Sequence, residues 1–346
     1  MNDGRAGTTE LPRLGFLGVG WIGADRLDAV VRAGVGVPVA VADADELVAH
    51  RVARATGARV VSTAALLGVA DEDRVELDGV VIATPSALHA EQAIAALRAG
   101  RAVFCQKPLA RTRPETEAVL AAARQADRLL GVDLSYRHLR AVEAVRDVVA
   151  GGGLGDVFAV DLTFHNAYGP DKPWFTDPTL SGGGCVIDLG THLLDLADHL
   201  LGALPPTRVR AELYRRGRRI DPASGNGTDV EDAAFATLTL DGGATVRMAC
   251  SWFLHAGMPA QIGLSCFGTT GGVEVRNVDG SFFDFAAWRL QGTERELLAR
   301  PPDEWGGRAI VDWARRLRVD PRFDPQADHL RELASTIDRV YGRCPT

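Results

Sequence analysis

Lysine is nearly missing from this chain: Lys107 and Lys172 stand against 36 arginines among 38 basic residues. The skew points to a GC-rich genome through codon usage, and it singles out each lysine for a question about its role. Cysteine is sparse and irregular. Cys105, Cys185, Cys250, Cys266 and Cys344 are odd in number, widely spaced and form no CxxC pair, which excludes a disulfide framework or a structural zinc site. They are expected to be mostly reduced, buried small hydrophobes. No apolar run approaches the roughly 18 residues of a membrane span. Met1 to Leu11 carry neither the apolar core of a secretory signal nor twin arginines. A basic stripe is absent too. The 38 basic residues face 45 acidic ones for a net charge of -7, and the one dense run, Arg215, Arg216, Arg218 and Arg219, is short enough to be a solvated connection between strands. Neither a nucleic acid nor a membrane is expected as a partner, and the chain is expected to be soluble and cytoplasmic.

What is present suffices for real cores. At roughly 150 residues per domain, the 346 residues, 46% of them hydrophobic, suggest two domains. The first third alternates short apolar runs (Leu14 to Leu17, Val37 to Ala42, Val80 to Ala83, Ala102 to Cys105) with helical patterns that stop at Gly34, near Gly57 and at Gly100. Thr112 with Glu115 forms a capping box that opens a further helix toward Leu130. Continuous apolar strands separated by helices indicate a parallel sheet covered on both faces, an α/β fold. After about Leu134 the rhythm becomes that of alternating strands: Asp156 to Phe164, Thr207 to Tyr214, and a hairpin of Ala233 to Leu240 with Ala244 to Trp252 about Asp241-Gly242. Gln261 to Phe267, Gly272 to Arg276 and Ser281 to Phe285 continue the series. This predicts a dinucleotide-binding domain over 1–134 and a second, α+β domain over 135–323 with a largely antiparallel sheet. A helix over 324–343 is expected to fold back on the first domain.

Gly18-Val19-Gly20-Trp21-Ile22-Gly23 follows the first strand and opens the first helix. Gly18 permits the tight turn, Gly20 lets the backbone approach a pyrophosphate, Gly23 lets helix and strand pack closely, and the helix N-terminus supplies N–H donors. Trp21 and Ile22 lie on the same turn and join the candidate cofactor contacts. Asp43 ends the second strand twenty residues past Gly23, where a carboxylate accepts hydrogen bonds from the adenosine ribose hydroxyls. Because a carboxylate repels a 2′-phosphate and Ala44, Asp45 and Glu46 offer no basic replacement, the expected cofactor is NAD and not NADP.

Three more signals fall where a hydride-transfer site belongs. Thr84-Pro85 ends a strand, with His89 in the first turn of the next helix, where it could touch the nicotinamide end or cap its own helix. Gln106-Lys107-Pro108 ends the following strand, and ligands in open α/β sheets bind beyond the strands' carboxyl ends. Further on, Gly182-Gly183-Gly184 precedes Asp188 and His192, whose i, i+4 spacing puts them on one face of a helix. In this order, together with Tyr136-Arg137, these motifs resemble the Gfo/Idh/MocA oxidoreductases, the family of glucose–fructose oxidoreductase and inositol dehydrogenase, over nearly the whole chain from Leu14 to about Tyr341. The resemblance implies a Rossmann domain and an α/β domain whose open sheet often forms an oligomer interface, hence a homodimer or homotetramer. It also implies oxidation or reduction of a carbinol in a sugar or cyclitol, with Thr84, Pro85, His89, Gln106, Lys107 and Arg137 around the cofactor. One departure is visible: the family usually reads Glu-Lys-Pro, and residue 106 here is glutamine.

The chemistry asks for the same residue types. Oxidising a secondary alcohol needs a base for the hydroxyl proton while hydride leaves the same carbon. His192 suits that task near neutrality, Lys107 favours anionic character on the reacting oxygen, and Asp188 orients the imidazole or binds another hydroxyl. Between His165 and Gly184, a loop rich in Pro, Gly and aromatics offers His165, Asn166, Tyr168, Trp174 and Phe175 to a polyhydroxylated ring, while Asp171 and Asp177 lean toward a cationic amino sugar. Lys172 reads as a loop residue. Asp188, His192, Asp195 and His199 recur near helical spacing, but the histidines are seven apart and HExxH is absent, so no metal is expected. The expected activity is NAD-dependent oxidation of a hydroxyl of a sugar, amino sugar or aminocyclitol, of the kind used in aminoglycoside or other specialised biosynthesis. A 3-keto-sugar reductase is the near alternative, and an NAD-binding sensor or a redox-neutral NAD-dependent glycosidase the more distant ones.

Overall fold

A computed structural model describes residues 10–70, 75–202, 205–221 and 230–343; Cys344 lies outside them. The chain forms two compact units. The first comprises the described residues up to Ala110, Pro114–Asp133 and Gly307–Asp328; the second comprises Arg111–Arg113, Leu134–Gly306 and the residues from His329 on.

In the first unit β1 (Arg13–Leu17), β2 (Val37–Ala42), β3 (Arg59–Val60), β4 (Gly79–Ile82), β5 (Ala102–Cys105) and β6 (Leu130–Val132) pair in the order β3-β2-β1-β4-β5-β6, all in parallel. Leu14, Phe16, Val41, Val81 and Phe104 are all but inaccessible, as expected for strands covered on both faces. The connecting helices are α1 (Trp21–Ala33), α2 (Glu46–Thr56), α3 (Thr63–Leu67), α4 (Ser86–Arg98) and α5 (Arg113–Ala126). Gly34 and Gly57 end α1 and α2 with φ of 62° and 76°, the left-handed closure that glycine adopts without penalty. Helix α5 stops at Ala126, short of the expected Leu130, because Leu130–Val132 joins the sheet beside β5.

The second unit holds α6 (Arg140–Ala150), α7 (Pro178–Ser181), α8 (Thr191–Leu201) and a nine-stranded sheet. Its strands are β7 (Val157–Asn166), β8 (Arg208–Arg215), β9 (Arg218–Ile220), β10 (Ala233–Thr239), β11 (Thr245–Ser251), β12 (Ala260–Gly268), β13 (Gly272–Asn277), β14 (Phe285–Gln291) and β15 (Glu294–Ala299). The order is β15-β14-β13-β12-β7-β11-β10-β8-β9, antiparallel except for β7 with β11. The β10–β11 hairpin turns at Asp241-Gly242 as expected. Ser281–Phe285 is not a strand: the Ser281 hydroxyl accepts from the Phe283 and Asp284 amides and makes a turn, and β14 begins at Phe285.

Two further helices belong one to each unit. Helix α9 (Arg308–Val319) belongs to the first unit, where Trp313 lies 5.6 Å from the Phe104 ring and a Cβ on Gly79 or Gly131 would come within 2.7 or 2.6 Å of its ring. Helix α10 (His329–Val340) belongs to the second unit, where it packs on α8 and β8. Among the described residues, no helix is long and apolar enough to cross a membrane.

Candidate active site

In the first unit the turn after β1 has the form a dinucleotide requires. Gly18 has φ 80°, and a Cβ there would lie 2.6 Å from the Ala83 carbonyl oxygen. A Cβ on Gly23 would lie 2.0 Å from the Gly18 carbonyl oxygen, so helix and strand approach as closely as glycine allows. Above Gly20 there is open space, and α1 starts there with no side-chain cap, which leaves its N-terminal donors and positive potential for an anion. Trp21 is exposed and Ile22 half-buried on this turn. Asp43 Oδ2 accepts from Val19 N at 2.7 Å and Oδ1 from Asp45 N at 2.9 Å. The carboxylate thus braces the glycine turn and keeps lone pairs for ribose hydroxyls. These residues fit an NAD molecule.

The ends of β4 and β5 are tied together by His89. Only 1% exposed, it places Nε2 2.7 Å from the Thr84 carbonyl oxygen and Nδ1 2.8 Å from that of Pro108. Burial, aided by the Lys107 charge, lowers its pKa against the opposing effect of these carbonyls. Its imidazole thus links the two segments that follow β4 and β5 through their backbone carbonyls. Thr84 Oγ1 donates to Gln92 Oε1 at 2.6 Å, and Pro85 starts α4. Lys107 is half-buried just past β5. Gln106 also faces inward: its side-chain amide donates to Asp133 Oδ2, which accepts from Arg26 Nε at 2.6 Å as well. Asp133 and Arg26 are 1% and 5% exposed, so a buried carboxylate already sits beside residue 106.

In the second unit Asp188 and His192 do not ride one regular helix. Val186–Gly190 forms a π-turn, an irregularity common at functional sites, and α8 follows from Thr191. Asp188 Oδ2 accepts from Trp252 Nε1 at 3.1 Å. The His192 ring lies 4.7 Å from that of Tyr136 and 6.5 Å from Phe164. Burial and the Asp188 charge raise the Tyr136 pKa and keep its hydroxyl protonated. Tyr136 and Trp252 were not singled out as site residues from the sequence, although Tyr136 belongs to the Tyr136-Arg137 motif. Arg137 itself forms two hydrogen bonds to the buried Asp195, one of 2.7 Å from Nε, which fix its guanidinium within this unit.

The loop after β7 is only partly available to a ligand. His165 Nδ1 is 2.7 Å from Ser251 Oγ, and burial lowers its pKa. Asn166 Oδ1 is buried with no hydrogen-bond partner, whereas Tyr168 is exposed. Trp174 stacks on Phe175 at 3.9 Å, and Phe175 meets Trp252 edge-on at 6.5 Å, so the loop's aromatics reach the indole that holds Asp188. Lys172 pairs with Asp171 on the surface. Within the β8–β9 hairpin, Arg215 pairs with Asp232 and Arg219 with Glu212. Among the described residues no group of three or more His, Cys, Asp or Glu is arranged to hold a metal ion.

Comparison with known proteins covers both units. Residues 13–134 match the model of an oxidoreductase family with an NAD-binding Rossmann fold, and residues 142–274 match the GFO/IDH/MocA C-terminal domain. A protein of Amycolatopsis mediterranei provisionally named the oxidoreductase subunit of UDP-kanosamine synthase is 32% identical over 255 residues, 70% of this chain and 69% of that one. The 1,5-anhydro-D-fructose reductase of Ensifer adhaerens is 29% identical over 77% of this chain and 76% of its own. Among solved structures, GenD2 from gentamicin A biosynthesis, in complex with NAD, superposes with a TM-score of 0.78 at 24% identity, covering 96% of this chain and 95% of that one.

Proposed function

The chain belongs to the GFO/IDH/MocA family of NAD-binding oxidoreductases, and on that premise we propose that it oxidises a secondary hydroxyl of a sugar, amino sugar or aminocyclitol to a ketone. The observation that carries the reading is the second unit's pair: a buried His192 against Tyr136, four residues after an Asp188 held by the Trp252 indole. The turn from Gly18 to Gly23 and the Asp43 carboxylate would hold NAD, which would supply the hydride acceptor. The imidazole of His192 takes the proton of the substrate hydroxyl, Asp188 accepts a hydrogen bond from a neighbouring hydroxyl, and Lys107 donates to the reacting oxygen as it gains charge. The C–H bond is lost as hydride, the O–H bond as a proton, and a carbonyl remains.

Asp171 is paired with Lys172 and Asp177 caps the start of α7, so an amino-sugar substrate is supported by the relative named for UDP-kanosamine. A place in specialised biosynthesis follows from the same relative. The reverse reaction, reduction of a keto sugar, uses the same residues and is favoured by the 1,5-anhydro-D-fructose reductase relative. We assign the self-association face to the open side of the sheet, where Phe235 is exposed on β10, giving a homodimer or homotetramer.

The test is NADH absorbance on mixing the protein with NAD and a panel of sugars, inositols, amino sugars and aminoglycosides. Steady NADH formation from one ring class is expected, falling by about 10² or more in His192→Ala and Lys107→Ala. Near-normal turnover in both variants would refute the assignment.

A further inference from the structure

Glu231 is a buried carboxylate, 1% exposed, that the proposed chemistry does not use. Its Oε1 accepts from Gly184 N at 3.0 Å, Val186 N at 2.9 Å and the Tyr341 hydroxyl at 2.7 Å, and its Oε2 lies 3.1 Å from Gly184 N. Its backbone carbonyl accepts from Cys185 N at 3.1 Å. Burial pushes its pKa up while these donors pull it down. Burying a carboxylate among backbone amides is costly unless each lone pair is used. Here the amides lie at the start of the π-turn Val186–Gly190, which has no side-chain cap of its own. Glu231 fills that role from 45 residues away, as an acidic cap at a helix N-terminus does locally.

The glycine run is cut to fit this group. A Cβ on Gly184 would lie 1.9 Å from the Glu231 carbonyl oxygen, and one on Gly183 2.1 Å from the Tyr341 hydroxyl. The next residue continues the linkage: the Asp232 carbonyl accepts from Trp252 N at 2.7 Å, and the Trp252 indole donates to Asp188. Backbone and side chain of the Asp188 turn are thus both referred to residues 231 and 232. We infer that Glu231, with Tyr341, is a positioning residue that sets where Asp188 and His192 are presented. This rests on the proposed roles of that pair.

The test uses Glu231→Gln, which keeps the shape but replaces one acceptor oxygen with a donor, and Tyr341→Phe, the milder variant. Amide hydrogen exchange across residues 184–192 is compared with exchange across β7. Turnover, KM and NAD affinity are measured with the substrate found in the panel. Expected for Glu231→Gln are faster exchange confined to 184–192, turnover lower by about 10²-fold as for a roughly 1 Å misplacement, and unchanged NAD affinity. Tyr341→Phe should show the same pattern at about a tenth of the size in turnover. Wild-type exchange and turnover would overturn the inference. So would faster exchange with unchanged turnover, or a turnover loss matched by a uniform rise in exchange across both segments, which marks a merely structural role. Full activity in Asp188→Asn and His192→Ala would instead sink the reading of the pair and the catalytic half of this inference with it. The exchange data would still report whether Glu231 holds the turn.

Discussion

Placing a carboxylate at residue 106, before the lysine, should harm this protein. In Gln106→Glu the amide that donates to Asp133 Oδ2 is lost, and a second acid is placed against a carboxylate that is 1% exposed and shares one cation, Arg26. Losing a hydrogen bond to a charged group costs about 1.5–3 kcal/mol. Two ionised carboxylates about 4 Å apart at an effective dielectric constant near 20 repel by about 4 kcal/mol, so the folded state escapes part of that by holding a proton between them. Asp133 Oδ1 is buried without a partner, and the introduced carboxyl, once protonated, has a hydrogen to offer the Asp133 carboxylate in place of the amide. A net loss of about 2–4 kcal/mol is expected at neutral pH, or roughly 5–15 °C in melting midpoint. The sign follows from linkage. The shared proton raises the folded carboxyl pKa above its unfolded value of about 4.3, so the penalty is absent below that pH and grows as pH rises through the folded pKa. Thermal melts of both proteins from pH 4.5 to 8 provide the assay. Equal midpoints at pH 8, or a difference that does not change with pH, would refute the reasoning.

Two further outcomes follow from the same kind of argument. Asp43→Ala removes the acceptor of the Val19 and Asp45 amides along with the ribose contact. NAD affinity should fall by about 10- to 100-fold, equivalent to about 1.4–2.7 kcal/mol, and the preference over NADP should narrow; equal binding of both cofactors by the unaltered protein in a fluorescence titration would remove the basis for it. His199 is pulled down to about 4 by burial first and then by Arg137, Arg146, His138 and His329. Its folded pKa lies below the unfolded value of 6.5, so its neutral form supports the fold above pH 6.5 and that support drains as pH falls toward 4. His199→Gln should flatten the drop in melting midpoint between pH 7 and pH 5, and identical slopes in the two proteins would contradict the shift.

What could be read from the sequence was what local pattern or a short motif carries. The strands from Leu14, Val37 and Ala102, the stops at Gly34 and Gly57, the hairpin about Asp241-Gly242 and the glycine turn over 18–23 all follow from neighbours in the chain. Strands β3 and β6, two and three residues long, are too short for any periodicity. Helix α9 was legible in principle: Ile310, Trp313, Ala314 and Leu317 are buried at helical spacing. A stripe nevertheless shows only that a face will be covered, not by what, which is why the helix of α10 could be read from the sequence but its packing on α8 and β8 could not. The site divides the same way. Asp188 and His192 announce themselves through the glycine run, but the groups that hold them, Glu231 and Trp252, lie 47 and 64 residues from their partners Gly184 and Asp188 and meet them only once the sheet has formed. The departure at Gln106 was visible; its reason was not, because Asp133 stands 27 residues on. Residue 106 is therefore best understood as half of a pair. With a carboxylate already buried at 133 and one arginine to balance it, the position beside Lys107 calls for a neutral donor, and glutamine supplies the nearest shape to glutamate that does not add a second charge.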